Sequence, residues 1–352
     1  MKRTQPTAKA TQARPAPLST REVLARALDV FGDAWTFLVL QEAFFGVHRF
    51  VDFQANLGIP RATLAVRLRL LVKHGMFERA PREGSFRESY RLTPAGLDQY
   101  NYALALTRFG DRWLAGCDAR PLRLRHRCGR FLGAEGYCCG CGRTLKVSDV
   151  SFGSTSLHKL DVRLIRRSRA SRDPLAYLRG RTTSVARTLN AVGDRWSLLM
   201  VYELLDAPRR FDDFLLRLGM APNILSERLR YLTSTGLVVR NAYQRPSRFE
   251  YRLTTRGKNL CEVVLALLTW ACPWLGADPA DRPRHTCDRP AELAYRCRGC
   301  GADVKAIDVS VYPHRLAQTN AAVKPSDPRN RSRAVKRRST RASETFLQTR
   351  RA

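Results

Sequence analysis

Apolar residues recur at helical spacing through Val23, Leu24, Ala27, Leu28 and Phe31, directly after Ser19-x-x-Glu22, whose hydroxyl and carboxylate can cap a helix start reciprocally. Gly32 stops this first helix. A second, from Trp35 to about Phe45, is apolar nearly all round, as expected of a helix at the centre of a core. A third, short one carries Phe50 and Phe53. The fourth runs from about Pro60 to His74, with Leu64, Leu68 and Leu71 as its buried stripe and Gly75 as its stop. Strand patterning then predicts a hairpin in which Phe77 to Ala80 pairs with Ser89 to Leu92 around a basic, polar loop. Thr93-Pro94 combines a capping hydroxyl with proline at the first helical position, and predicts one long helix ending near Trp113.

The same pattern occurs twice. Gly32, Asp33 and Trp35 recur 161 positions later as Gly193, Asp194 and Trp196, and Arg49, Phe50, Asp52 and Phe53 recur as Arg210, Phe211, Asp213 and Phe214. Leu64, Leu68 and Leu71 become Leu225, Leu229 and Leu232, and Tyr90-Arg-Leu-Thr93 becomes Tyr251-Arg-Leu-Thr254. The second hairpin is expected between Leu237 to Arg240 and Glu250 to Leu253. A period of this length marks a repeated domain. Helix, helix, short helix, helix, hairpin, helix is the winged helix-turn-helix order. The expected fold is therefore mainly α with small β (α+β): winged-helix domains at 19–116 and 182–276.

Charge then narrows the function. With 62 Lys and Arg against 31 Asp and Glu, the 352-residue chain carries a formal net charge of +31. Such an excess disfavours most metabolic enzymes and favours a polyanionic partner, nucleic acid first. The longest apolar stretch, Leu260 to Leu275, is interrupted by Glu262, Thr269 and Pro273 and is too short for a bilayer, so no membrane role is expected. Charges and prolines in the first twenty residues argue against a secretory signal, and the expected location is the cytoplasm, with the nucleoid.

A helix in the major groove meets distinguishable base edges, while wing arginines reach phosphate or the minor groove. The candidate DNA contacts are Arg61, Ala62, Val66, Arg69 and Lys73 on the first reading helix, with Arg79, Arg82 and Arg87 in its wing. In the second copy they are Asn223, Ser226, Glu227 and Arg230, with Arg245 and Arg248 in the wing. The early turns differ: Ala62 and Val66 offer only apolar contact, whereas Asn223 can address adenine and Glu227 a cytosine amino group. An imperfect palindrome is expected, stricter in the half read by the second copy.

The runs Gly193-Asp-Arg-Trp-Ser-Leu-Leu199, Arg209-Arg-Phe-Asp-Asp-Phe214, Leu225-Ser-Glu-Arg-Leu-Arg-Tyr-Leu232, Gly236-Leu-Val238 and Tyr251-Arg-Leu-Thr254 resemble HxlR-type regulators, winged-helix proteins similar to the MarR group. The resemblance covers roughly residues 21 to 115 and 182 to 276. It implies control of nearby genes by a homodimer, here resembling two subunits fused in one chain, with self-association between chains left open. Family members often keep a sensing cysteine at the first helix. Arg21 to Phe31 and Ser184 to Val192 have none, so that mode is not carried over.

A second repeat, 159 positions apart, follows each winged helix: His126-x-Cys128-x9-Cys138-x2-Cys141, and His285-x-Cys287-x9-Cys297-x2-Cys300. Cys-x2-Cys pairs suit tight knuckles, and a facing pair completes a tetrahedral Cys3His zinc site. Two structural zinc ions per chain are expected, one within each knuckle, at 122–153 and 282–314. For each histidine the alternative is a surface residue, with water or another group as the fourth ligand. Four protein ligands leave no open position for catalysis, no Glu stands where a zinc deaminase needs one, and no enzyme activity is expected. Cys139, between two ligands, has no assigned role. Strands are expected over Val147 to Phe152 and Ile307 to Tyr312.

The remaining segments, 1–18, 154–181 and 315–352, are expected to be a tail, a basic linker and a second tail. The last holds seven Lys and Arg without an acid between Arg329 and Arg341. The favoured function is a sequence-specific DNA-binding regulator, a repressor, working on an operator as an intramolecular pseudo-dimer. The alternative is a nucleoid-type protein that coats DNA with little specificity.

Overall fold

The computed structural model describes residues 17–82, 85–114, 123–153, 160, 183–244 and 248–312. The first copy contains α1 (Thr20–Phe31), α2 (Ala34–Phe44), α3 (Phe50–Leu57) and α4 (Arg61–Lys73), then β1 (Phe77–Arg82) and β2 (Ser85–Leu92). Ser19 and Glu22 form the capping box of α1, and Asp33 caps α2 by accepting from the Thr36 N–H. The hairpin has the expected register, Phe77 opposite Leu92 and Ala80 opposite Ser89. Leu64, Leu68 and Leu71 are fully buried beneath α4. The predicted tail at 1–16, most of the linker, and 313–352 lie outside the described residues.

The expected long helix after the wing is broken. It comprises α5 (Pro94–Asp98) and α6 (Tyr100–Trp113). Thr93 caps the first turn, and Gly96 sits so close to the Met76 carbonyl that an added Cβ would lie 2.3 Å from that oxygen. The turn is thus pinned against the backbone just ahead of β1, and the chain restarts as a second helix.

The second copy repeats the arrangement with α7 (Ser184–Val192), α8 (Arg195–Asp206), α9 (Phe211–Leu218), α10 (Pro222–Ser234), α11 (Thr255–Lys258) and α12 (Cys261–Leu275). Here Gly257 lies against the Leu237 carbonyl in the same way. Its wing, β7 (Val238–Gln244) and β8 (Arg248–Leu253), gains an unforeseen third strand, β6 (Arg209–Arg210), paired to β8.

The copies pack reciprocally. α1 lies on α12, α7 lies on α6, and α6 also meets α12. The close approach of α6 and α7 depends on Gly110, where a Cβ would stand 2.2 Å from the Ser184 carbonyl oxygen. Polar groups lock the seam: Thr188 Oγ1 donates to the Leu106 carbonyl at 2.8 Å, and the Trp270 indole N–H donates to the Ala95 carbonyl at 3.0 Å. Arg195 pairs with Asp29 at 3.1 Å. Arg21, from α1, reaches Glu203 of α8 at 2.6 Å, with the two side chains 3% and 1% exposed. Arg217 also engages Glu203, so this buried carboxylate serves both copies.

Each winged helix is followed by short strands: β3 (Arg123–His126), β4 (Ala134–Cys138) and β5 (Val150–Ser151) after the first, and β9 (Arg284–His285), β10 (Leu293–Cys297) and β11 (Val309–Tyr312) after the second. The strands expected at Val147 and Ile307 begin later, because single 3-10 turns occupy Val147–Asp149 and Ala306–Asp308. The pairings between these strands all cross between copies: β4 with β10, β3 with β11, β5 with β9.

Candidate metal centres and DNA-reading helices

This crossed pairing corrects the expected ligand sets. The local scheme grouped each His-x-Cys with the Cys-x2-Cys that follows it. The structure instead gathers His126, Cys128, Cys297 and Cys300 in one tetrad and Cys138, Cys141, His285 and Cys287 in the other, with the ligand atoms of each tetrad within 4.8 Å of one another. The reason is topological. In the ribbon of β4 and β10, Cys138 stands opposite Leu293 and Cys297 opposite Ala134, so the two Cys-x2-Cys turns leave opposite ends. Each end meets the His-x-Cys turn of the other copy.

The dimensions fit a tetrahedral ion. Zn–S bonds near 2.3 Å and Zn–N bonds near 2.05 Å give S···S edges of about 3.8 Å and S···N edges of about 3.5 Å. In the first tetrad Cys128 Sγ lies 4.0 Å from Cys297 Sγ, and Cys300 Sγ 3.5 Å from His126 Nδ1. The second repeats this, with Cys138 to Cys287 at 3.9 Å and Cys141 to His285 Nδ1 at 3.6 Å. Both histidines are buried, not surface residues, and the Nδ1 of each lies within 3.6 Å of a thiol of its tetrad. The two tetrads are able to hold metal ions.

The local backbone explains why the thiols converge. Gly142 and Gly301 follow the second cysteine of each knuckle with φ of 73° and 76°, where a side chain is strained, and their N–H groups donate back to Cys138 and Cys297. Sequence reasoning missed two supporting residues. Arg130 donates to the Gly299 carbonyl at 2.8 Å and Arg289 to the Gly140 carbonyl at 2.9 Å, so each knuckle's arginine braces the opposite Cys-x2-Cys turn. These arginines share the 159-residue offset of the ligands, which was their available signal. Cys139 belongs to neither tetrad, and its N–H donates to the Glu292 carbonyl. Cys261 and Cys272 are buried in α12, where burial raises both thiol pKa values, that of Cys272 to about 11.

On the candidate reading helices, Leu64, Leu68 and Leu71 in α4 and Leu225, Leu229 and Leu232 in α10 face inward. Arg61, Ala62, Val66, Arg69 and Lys73 are exposed on α4, as are Asn223, Ser226, Glu227 and Arg230 on α10. Arg79 is exposed on β1. The side chains of Arg82, Arg87 and Arg248, and the whole of Arg245, lie outside the described residues. Arg67 and Arg228, turned sideways, instead pair with Asp33 and Asp194 at 3.0 and 3.5 Å and tie each reading helix to the start of the second helix of its copy.

The model of the HxlR-like helix-turn-helix family matches residues 30–117 and 191–279, one segment per copy. The chain belongs to this family. Among similar proteins, the HTH-type transcriptional regulator Rv3095 of Mycobacterium tuberculosis is 42% identical over 132 residues, which span 84% of that protein and 37% of this HxlR-like chain. YvaP of Bacillus subtilis, of the same description, is 33% identical over 96 residues, 87% of its length and 27% of this chain. The family is one of transcriptional regulators, not of enzymes. No helix among the described residues is long and apolar enough to cross a membrane.

Proposed function

We propose that this chain is a sequence-specific DNA-binding regulator, a repressor, in which two winged helices on one polypeptide take the places of the subunits of a homodimer. The observation that carries the reading is the reciprocal packing of α1 on α12 and α7 on α6, continued by tetrads that each draw on both copies. The relatives support it, since a match covering most of Rv3095 uses little more than a third of this chain. Two reading helices held by one scaffold address two half-sites, and wing arginines add phosphate contacts. Seated across a promoter, such a reader excludes polymerase.

Zinc is the ion that three thiolates and an imidazole at these distances favour. His126, Cys128, Cys297 and Cys300 hold one ion and Cys138, Cys141, His285 and Cys287 the other. Bound there, it supplies folding energy, because no coordination position is left for a substrate. The site of action is the nucleoid. Selection of bound fragments from genomic DNA at physiological salt tests the reading: a recovered motif with two half-sites, bound by a 39.9 kDa monomer, is the expected result. Recovery without a motif would favour a DNA-coating protein.

A further inference from the structure

The paired β3 and β11 bury Leu124, His126, Val309 and Val311 on one face to varying degrees and leave the other open. On the open face stand Arg123, Arg125, Ser310 and Tyr312, joined by Phe131, which bridges to Arg125. Phe131 and Tyr312 are each 44% exposed, with ring centroids 5.5 Å apart and planes at 79°. Arg123 lies 3.9 Å over the Phe131 ring and Arg125 4.8 Å over the Tyr312 ring. Neither arginine pairs with a carboxylate among the described residues.

The molecule contains its own control for this face. The pairing of β5 with β9 is the same local structure in the other copy, with Ser151 opposite Arg284 as Ser310 is opposite Arg125. There Pro290 replaces Phe131 and Gly153 replaces Tyr312. Its arginines are engaged internally, Arg282 with Glu292 at 3.2 Å and Arg284 with the Asp288 carbonyl at 2.8 Å. The fold therefore requires neither aromatic ring nor unpaired guanidinium at this place. Only one of the two faces has them.

We infer that the face of Arg123, Arg125, Phe131 and Tyr312 binds single-stranded DNA, its rings stacking bases and its guanidinium groups meeting phosphates. Interleaved arginines and half-exposed rings are the arrangement that holds a single strand without reading its sequence. A duplex keeps its bases stacked inside and offers nothing for the rings. Charge agrees, because the chain continues from Tyr312 into a segment with seven Lys and Arg and no acid between residues 329 and 341. DNA, not RNA, is the strand in question because the winged helices bring DNA to the same molecule, and to that extent the inference rests on the function proposed above.

The test uses full-length, zinc-loaded protein and fluorescence anisotropy with labelled oligo(dT). The variant Phe131→Pro with Tyr312→Gly carries the residues of the other face, which the same fold accommodates. It should bind oligo(dT) at least tenfold more weakly, from a stacking contribution of about tenfold per ring, while its affinity for duplex genomic fragments stays within about twofold. The reverse exchange, Pro290→Phe with Gly153→Tyr, should strengthen oligo(dT) binding. Unchanged oligo(dT) affinity in the first variant, or competition by an equal length of duplex as strong as by oligo(dT), would overturn the inference. So would a clear preference for oligo(rU). Failure to bind duplex fragments with oligo(dT) binding intact would count against the winged-helix reading alone.

Discussion

Replacing Cys128 and Cys297 together with serine separates exchanged from local metal sites by counting. Their sulfurs lie 4.0 Å apart in one tetrad, although the residues belong to different copies. Exchange predicts that the double variant loses two ligands from one site and none from the other. Structural zinc is held with roughly 10 to 16 kcal/mol in small Cys/His modules, and a site stripped of two of its three thiolates cannot compete with a chelator at that level. The tetrad of Cys138, Cys141, His285 and Cys287 keeps its full set. The expected content after chelator challenge is thus one zinc per chain, against two for the unaltered protein, read by elemental analysis normalised to protein. Cys128→Ser with Cys138→Ser is the mirror experiment, damaging both tetrads and leaving close to none. If that second variant retains one ion and the first retains none, the ligands pair within each knuckle and the crossed topology is refuted.

Four further outcomes follow from the packing and the exposed helices. Glu203→Gln leaves Arg21 and Arg217 buried without their carboxylate and should cost about 3 to 5 kcal/mol in denaturant unfolding; a loss below 1 kcal/mol contradicts the shared-carboxylate argument. Gly110→Ala places a methyl against the Ser184 backbone and should cost about 1 to 3 kcal/mol, seen as a lowered melting temperature in calorimetry, which an unchanged transition would disprove. Gln99 is fully buried with neither amide atom partnered among the described residues, where the second copy has Leu260, so Gln99→Leu should stabilise by about 1 kcal/mol, and a destabilised variant would speak against it. Asn223→Ala should cost about 1 to 3 kcal/mol at one base position, whereas Arg69→Ala should weaken all sequences alike and flatten the salt dependence; a motif with two equally strict halves would exclude this division of labour.

Local chemistry made much of the fold legible in advance. Ser19, Glu22, Thr93, Pro94 and the leucine stripes act within a few residues of themselves, and the helices follow from them, as the wings follow from the strand patterns flanking their polar loops. The break between α5 and α6 was not visible, because it comes from Gly96 meeting the carbonyl of Met76, a contact between distant residues. The eight Cys and His residues of the two tetrads stood out by their spacing, but their partnership did not. Two identical spacings satisfy local and exchanged tetrads equally, and only the pairing of β4 with β10 chooses between them. The seam at Glu203 was likewise hidden, since Arg21 and Glu203 are 182 positions apart.

Covalent linkage of the two copies also changes what each is free to become. In a homodimer one gene writes both reading helices, so any new base preference is imposed on both halves of the operator at once. Here Ala62 and Val66 have diverged from Asn223 and Glu227, and Phe131 and Tyr312 from Pro290 and Gly153, without disturbing the shared scaffold. The crossed tetrads set the opposite rule for the ligands. With metal bound, a cysteine lost from either copy would disable a site to which the other contributes, so the eight Cys and His residues would have to be inherited as one set while the surfaces around them specialise independently.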